Sequence, residues 1–178
     1  ISVSDISPIN LPSFNLQAYI AEDAINDVTK DTPWRFGHKH QVNYSLNNSG
    51  SWTDVHNGRV WRIRFRSKNA LTMNFIFEDM YIPQGAHIHM YNAQKTAYIG
   101  AYTAQNNSPS KILGTDILAG EDVIIEYFEP SHAAGEAGAR LDPERATAAP
   151  RRQRGPSHPA TAAPRRRCRV VAWRGRRD

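Results

Sequence analysis

Residues 57–67 read Asn-Gly-Arg-Val-Trp-Arg-Ile-Arg-Phe-Arg-Ser. Trp61, Ile63 and Phe65 alternate with Arg62, Arg64 and Arg66, so an extended chain puts three large apolar groups on one face and three guanidinium groups on the other. Period 2 this strict predicts a strand with one buried face. The Asn57-Gly58 step in front of it, after Ser51–His56, predicts a two-residue hairpin turn with positive φ at both positions.

The alternation continues on both sides. Gln41–Leu46 is a candidate strand before the Asn47–Gly50 turn. Leu71–Glu78 alternates after it, and Ala86, Ile88 and Met90 alternate with His87, His89 and Tyr91 beyond the Pro83-Gln84-Gly85 turn. Tyr98–Tyr102 and Val123–Phe128 complete six to eight short strands. Residues 1–40, punctuated by Pro8, Pro12 and Pro33, read as an extended lead-in in which Gln17–Val28 holds at most a weak helical turn. The expected fold is all-β: an antiparallel, jelly-roll-like β-sandwich over residues 41–130.

Charge divides the chain at residue 132. Up to His132 there are 10 Lys and Arg against 13 Asp and Glu; from Ala133 on there are 12 against 4, all 12 of them arginine. The overall net charge of +5 therefore belongs to the last stretch. That stretch lacks Asn, Ile, Tyr, Phe and Met and shows no apolar periodicity except Val170–Trp173, so disorder is expected over 131–178. The switch from Lys-, Asn- and Ile-rich to Arg-, Ala- and Pro-rich composition suggests a slip of reading frame near residues 133–146. A genuine disordered linker and a selected basic tail are the alternatives. The single cysteine, Cys168, lies in this tail and leaves the redox compartment undecided. A start at Ile1, with no charged segment leading an apolar one, reads as a processed chain or a fragment. No stretch is long and apolar enough to span a membrane.

Several constellations could carry chemistry. His38/His40 and His87/His89 are His-x-His pairs whose imidazoles point the same way on a strand, as zinc or copper ligands would; outward polar positions are the plainer reading, so no metal or other cofactor is assigned. Arg62, Arg64 and Arg66 could meet phosphates or sulfated glycans, or pair with acidic neighbours across strands. Trp52, with Trp34 and the tyrosines, could supply a sugar-stacking platform. Asp116, Glu121, Asp122, Glu126 and Glu129 read as loop solvation and edge-strand charge rather than a calcium site. No motif that would place a nucleophilic serine is present, no Gly-rich phosphate loop occurs, and no catalytic residue is assigned. Binding of nucleic acid through the arginine tail is a third possibility, expected to be nonspecific.

Four segments in order carry a resemblance: Pro33-Trp34-Arg35-Phe36-Gly37 with the Trp61-Arg62-Ile63-Arg64 strand, the Ile82-Pro83-Gln84-Gly85-Ala86 turn, the loop GAYTAQNN at 100–107, and GTDILAGEDVIIEYFEP at 114–130. Over about residues 8–132 the chain resembles the N-terminal non-catalytic region of secreted bacterial trypsin-like serine endopeptidases of the lysyl-endopeptidase type. The resemblance implies a secreted or periplasmic accessory or propeptide domain, partnered with a serine protease domain normally in the same chain. It would assist folding, keep the protease latent, or hold it to a surface. The similarity fades at Ser131–Arg140, and the His, Asp and Ser of a catalytic triad do not follow. A stand-alone extracellular glycan-binding module is the alternative.

Overall fold

A computed structural model describes residues 3–29, 37–137 and 168–173 of the chain. It is β-rich, with eleven strands and one α-helix among the described residues. In chain order the elements are β1 (Ile9–Asn10), α1 (Leu16–Thr29), β2 (His38–Val42), β3 (Ser51–Val55), β4 (Gly58–Arg66), β5 (Thr72–Phe77), β6 (His87–Asn92), β7 (Tyr98–Thr103), β8 (Leu113–Gly114), β9 (Leu118–Ala119), β10 (Asp122–Pro130) and β11 (Cys168–Trp173).

The first sheet runs β1-β4-β10-β6-β7, with β3 also on β4; the second runs β2-β11-β5-β8, with β9 also on β5. β4 and β10 pair antiparallel along their full length, from Gly58 opposite Pro130 to Arg66 opposite Asp122. The apolar face of β4 points inward as its alternation demands: Ile63 and Phe65 are buried, and so are Val123, Ile125 and Tyr127 of β10 and Ile88 and Met90 of β6. The second sheet contributes Met73 and Phe75, both fully buried. Phe65 and Phe75 meet with ring centroids 5.7 Å apart, so side chains of both sheets share one core.

The β3–β4 hairpin differs from the expected turn. Val55 pairs with Gly58, which puts His56 and Asn57 at the turn, and Asn57 alone has positive φ, 67°. Gly58 is the first residue of β4 and is needed for space: a Cβ there would collide with the Glu129 carbonyl oxygen and lie 2.9 Å from the Phe128 ring. Asn-Gly marks the hairpin, but the glycine answers to β10 rather than to the turn.

The extended lead-in is corrected too. α1 spans 14 residues free of Pro and Gly and holding Ala18, Ala21 and Ala24. The Asn15 side chain caps it, accepting from the Ala18 N–H at 3.1 Å. Its apolar residues Ile20, Ile25 and Val28 are exposed, so no buried stripe announces the helix. β2 likewise begins at His38, inside the expected lead-in and ahead of Gln41.

The expected boundary at residue 130 falls inside the packed unit. Ser131–Ala133 forms a short 3-10 turn, and Ala133 and Ala137 are 2% and 1% exposed. Cys168–Trp173, within the stretch expected to be disordered, is a strand hydrogen-bonded between β2 and β5. It contains Val170–Trp173, the one apolar run of the tail, and adjacent β-branched residues favour the pleat. The rest of the tail, including the expected frame slip beyond Ala137, lies outside the described residues, as do Trp34 and its neighbours at 31–36.

The loop after β7 acts as a clamp. Thr103 caps the 3-10 turn Ala104–Asn106, whose Asn106 side chain accepts from the Thr103 N–H at 2.8 Å. The Asn107 side chain accepts from the Ile82 N–H and donates to the Ile82 carbonyl, both at 2.8 Å. Ile82 is 1% exposed, so its backbone has little access to water as a substitute partner. Asn107→Ala is expected to cost about 1–3 kcal/mol, read as a lower denaturant midpoint with an unchanged slope.

Candidate ligand cleft on the outer face of the first sheet

Strand β6 reads His-Ile-His-Met-Tyr-Asn, and its burial alternates with the sequence. Ile88, Met90 and Asn92 go inward, leaving His87, His89 and Tyr91 on the outer face. Their cross-strand neighbours on β10 are Phe128, Glu126 and Ile124. The His87 ring stacks on Phe128 at 5.0 Å between centroids and meets His89 edge-on at 4.9 Å. On its other side His89 has Tyr98, whose hydroxyl hydrogen-bonds to Nδ1.

The β6–β7 ladder shifts register between Ile88 and His89: Ile88 faces Tyr102, while His89 faces Gly100. A bulge of this kind re-aims the strand locally. Beside it a cavity of about 480 Å³ opens, lined among others by Gln84, Gly85, His87, His89, Thr103 and Gln105. Gly85 has φ of 82° in a turn closed by the Ala86 N–H to the Pro83 carbonyl at 3.1 Å. A side chain there would meet that conformational strain, with His132 3.4 Å away.

Burial holds the His89 imidazole below its ordinary pKa, and the neighbouring His87 lowers it further against an opposing pull from Glu126. His89 is therefore neutral at pH 7. The Tyr98 hydroxyl pairs with Nδ1, donating or accepting according to which ring nitrogen carries the proton. The cleft thus combines a neutral imidazole, side-chain amides and a hydroxyl, groups that hydrogen-bond uncharged polar ligands.

The arginine comb is occupied by carboxylates. Arg62 Nε donates to Glu126 at 2.7 Å, and the Tyr91 hydroxyl reaches the same oxygen at 3.2 Å. Arg64 holds Asp122 with two bonds of 2.7 and 2.8 Å and also donates to the Val3 and Ile6 carbonyls, both at 3.1 Å. Arg66 adds bonds of 2.9 and 2.6 Å to Asp122. Burial works against the Asp122 carboxylate, but the hydrogen bonds from Arg64 and Arg66 outweigh it and hold the carboxyl below its ordinary pKa. Three of the five clustered acids are therefore not loop solvation: Asp122 and Glu129 are buried, and with Glu126 they neutralise the arginines of β4. Sequence alternation places these charges on one face, but only the β4–β10 register shows which acid meets which arginine.

Trp52 is covered. The Arg59 guanidinium lies 4.0 Å from its ring centroid, Tyr127 packs edge-on at 6.1 Å, and its Nε1 donates to the Leu46 carbonyl at 3.3 Å. Arg59 thus takes up one face of the ring.

The two histidine pairs lie on different sheets. His38 and His40 sit on β2 with rings 4.5 Å apart; the Tyr19 hydroxyl bonds His38 Nδ1 at 2.8 Å, and Phe14 stacks on His38 at 4.7 Å. His40 is buried with Nε2 unbonded among the described residues, and burial, then His38, lowers its pKa. Among the described residues no three or more His, Cys, Asp or Glu side chains group so as to hold a metal ion. No helix there is long and apolar enough to cross a membrane.

No protein-family model matches the chain, and no solved structure matches it. The cleft itself escaped sequence reading in part. His87 and His89 stand out as a pair and Gln84 lies in the turn just before them, whereas Thr103 and Gln105 join them only through the β6–β7 pairing and the clamp loop.

Proposed function

We propose that the chain is a non-catalytic accessory or propeptide module of a secreted or periplasmic trypsin-like serine endopeptidase, folded as a jelly-roll-like β-sandwich. What supports this above all is where most of the resemblance-bearing residues lie and what they do. Arg62 and Arg64 neutralise Glu126 and Asp122, Asn107 clamps Ile82, and β10 is the central partner of both β4 and β6. Residues that hold a sheet together mark a folded module rather than a reaction centre. Ile20, Ile25 and Val28, 46%, 66% and 82% exposed on α1, add an apolar surface that a protein partner would cover.

Co-refolding the chain with a lysyl-endopeptidase-type protease domain tests the proposal. Recovered protease activity should rise, or the folded protease should be inhibited, in proportion to added chain. No effect in either assay overturns it.

The cleft favours a second reading, a glycan-binding module, with the site moved from Trp52 to His87, His89, Gln84 and Gln105. Retention on a polysaccharide column that His89→Ala abolishes and Trp52→Phe preserves would select it over the first.

A further inference from the structure

Strand β11 is bonded on both sides. It runs antiparallel to β2, with Val170 opposite His40, and antiparallel to β5, with Val170 opposite Phe75. β2 and β5 are therefore parallel to each other and stand two strand spacings apart, about 9–10 Å. Only one extended chain fits between them. Without it, β5 would lose its ladder on that edge beside Met73 and Phe75, which are fully buried, and β2 would lose the connection to its sheet.

The strand that fills this gap is not a sequence neighbour of either flank. β5 ends at Phe77 and β2 at Val42, whereas the filling segment begins at Cys168. Ladder bonds are made by backbone, so the gap selects for an extended, proline-free segment and only weakly for its identity. Cys168–Trp173 meets that need with two adjacent valines, while Arg165–Arg167 and Arg174 bracket the apolar run with charge.

We propose that the gap between β2 and β5 is a strand-binding site, and that residues 168–173 are a ligand held in cis, replaceable by an extended apolar segment of another polypeptide. Recognition would rest on two antiparallel ladders, a mode in which main-chain bonds give affinity and alternate side chains give selectivity. The inference is independent of the protease reading, because it rests on the backbone pairing of β11 and on a segment, 168–173, outside the resemblance.

The test uses the full chain with a specific protease site inserted between residues 145 and 160, folded first and cut afterwards. A labelled peptide of residues 166–176 with Cys168→Ser should exchange into the cut chain saturably and slow hydrogen exchange at 38–42 and 72–77. The same peptide with Val171→Pro should bind at least about tenfold more weakly, since proline removes a ladder donor. Equal binding by the proline peptide or by a scrambled peptide of equal charge would show arginine attraction alone and overturn the site. No exchange at all overturns replaceability. In the uncut chain, Val171→Pro should speed exchange in β5 about tenfold or more while β4 and β10 stay protected; unchanged β5 protection would also sink the idea. A peptide-dispersed dimer of the intact chain would identify the incoming segment as a second copy and overturn its assignment to another polypeptide.

Discussion

Phe75→Ala is expected to lower the free energy of unfolding by about 3–5 kcal/mol. Phe75 is fully buried and packs on Phe65 across the two sheets, so truncation empties space that neither sheet can close alone. A small domain holds about 5–15 kcal/mol in total, so the variant should sit near its folding threshold. Urea unfolding followed by tryptophan fluorescence measures it. Phe75→Leu, which keeps most of the volume, should lose less than half as much. Equal losses for the two would show that the site tolerates collapse and that the inter-sheet contact matters little.

Asp122→Ala is expected to cost about 3 kcal/mol, because it leaves the Arg64 guanidinium without its carboxylate in a largely buried site. The Arg64 side chain is 11% exposed and that of Arg66 40%, so Arg64 carries most of the loss and water screens the rest. The pH dependence has a definite sign. The folded carboxyl has a lowered pKa, so its contribution is present above the ordinary carboxylate value of about 3.9 and disappears as pH falls through the lower folded value. Denaturant midpoints of the unaltered chain should therefore fall as the pH drops below about 4, and Asp122→Asn should flatten that limb. A variant with the same acid slope would show that other carboxylates govern acid unfolding.

How far the sequence could be read depends on which forces act locally. The strand Arg59–Arg66 was legible because alternation of apolar and charged residues is a local property that the β4 backbone reproduces residue by residue. The partner of each arginine was not, since Glu126 and Asp122 lie 64 and 58 residues away from Arg62 and Arg64 in sequence. Helix α1 was undervalued because its apolar residues face outward and give no buried stripe. Strand β11 was missed because composition averages over a segment, while six residues with two ready-made edges need little hydrophobicity of their own. The cleft was half legible: His87 and His89 follow from period 2, but the β6–β7 register shift that opens space beside them is marked locally only by Gly100 within β7.

The outer edge of β4 has a consequence for the behaviour of the protein in solution. β3 covers Gly58–Arg62 antiparallel, and β1 then covers Phe65 and Arg66 in parallel. A sheet ending in one five-residue piece and one two-residue piece of opposite direction offers an incoming chain no long template of free N–H and C=O groups. Strand β4 is thus sealed off from its copies by fragments too short to recruit them, which protects concentrated solutions of this β-rich chain against fibre growth along that border.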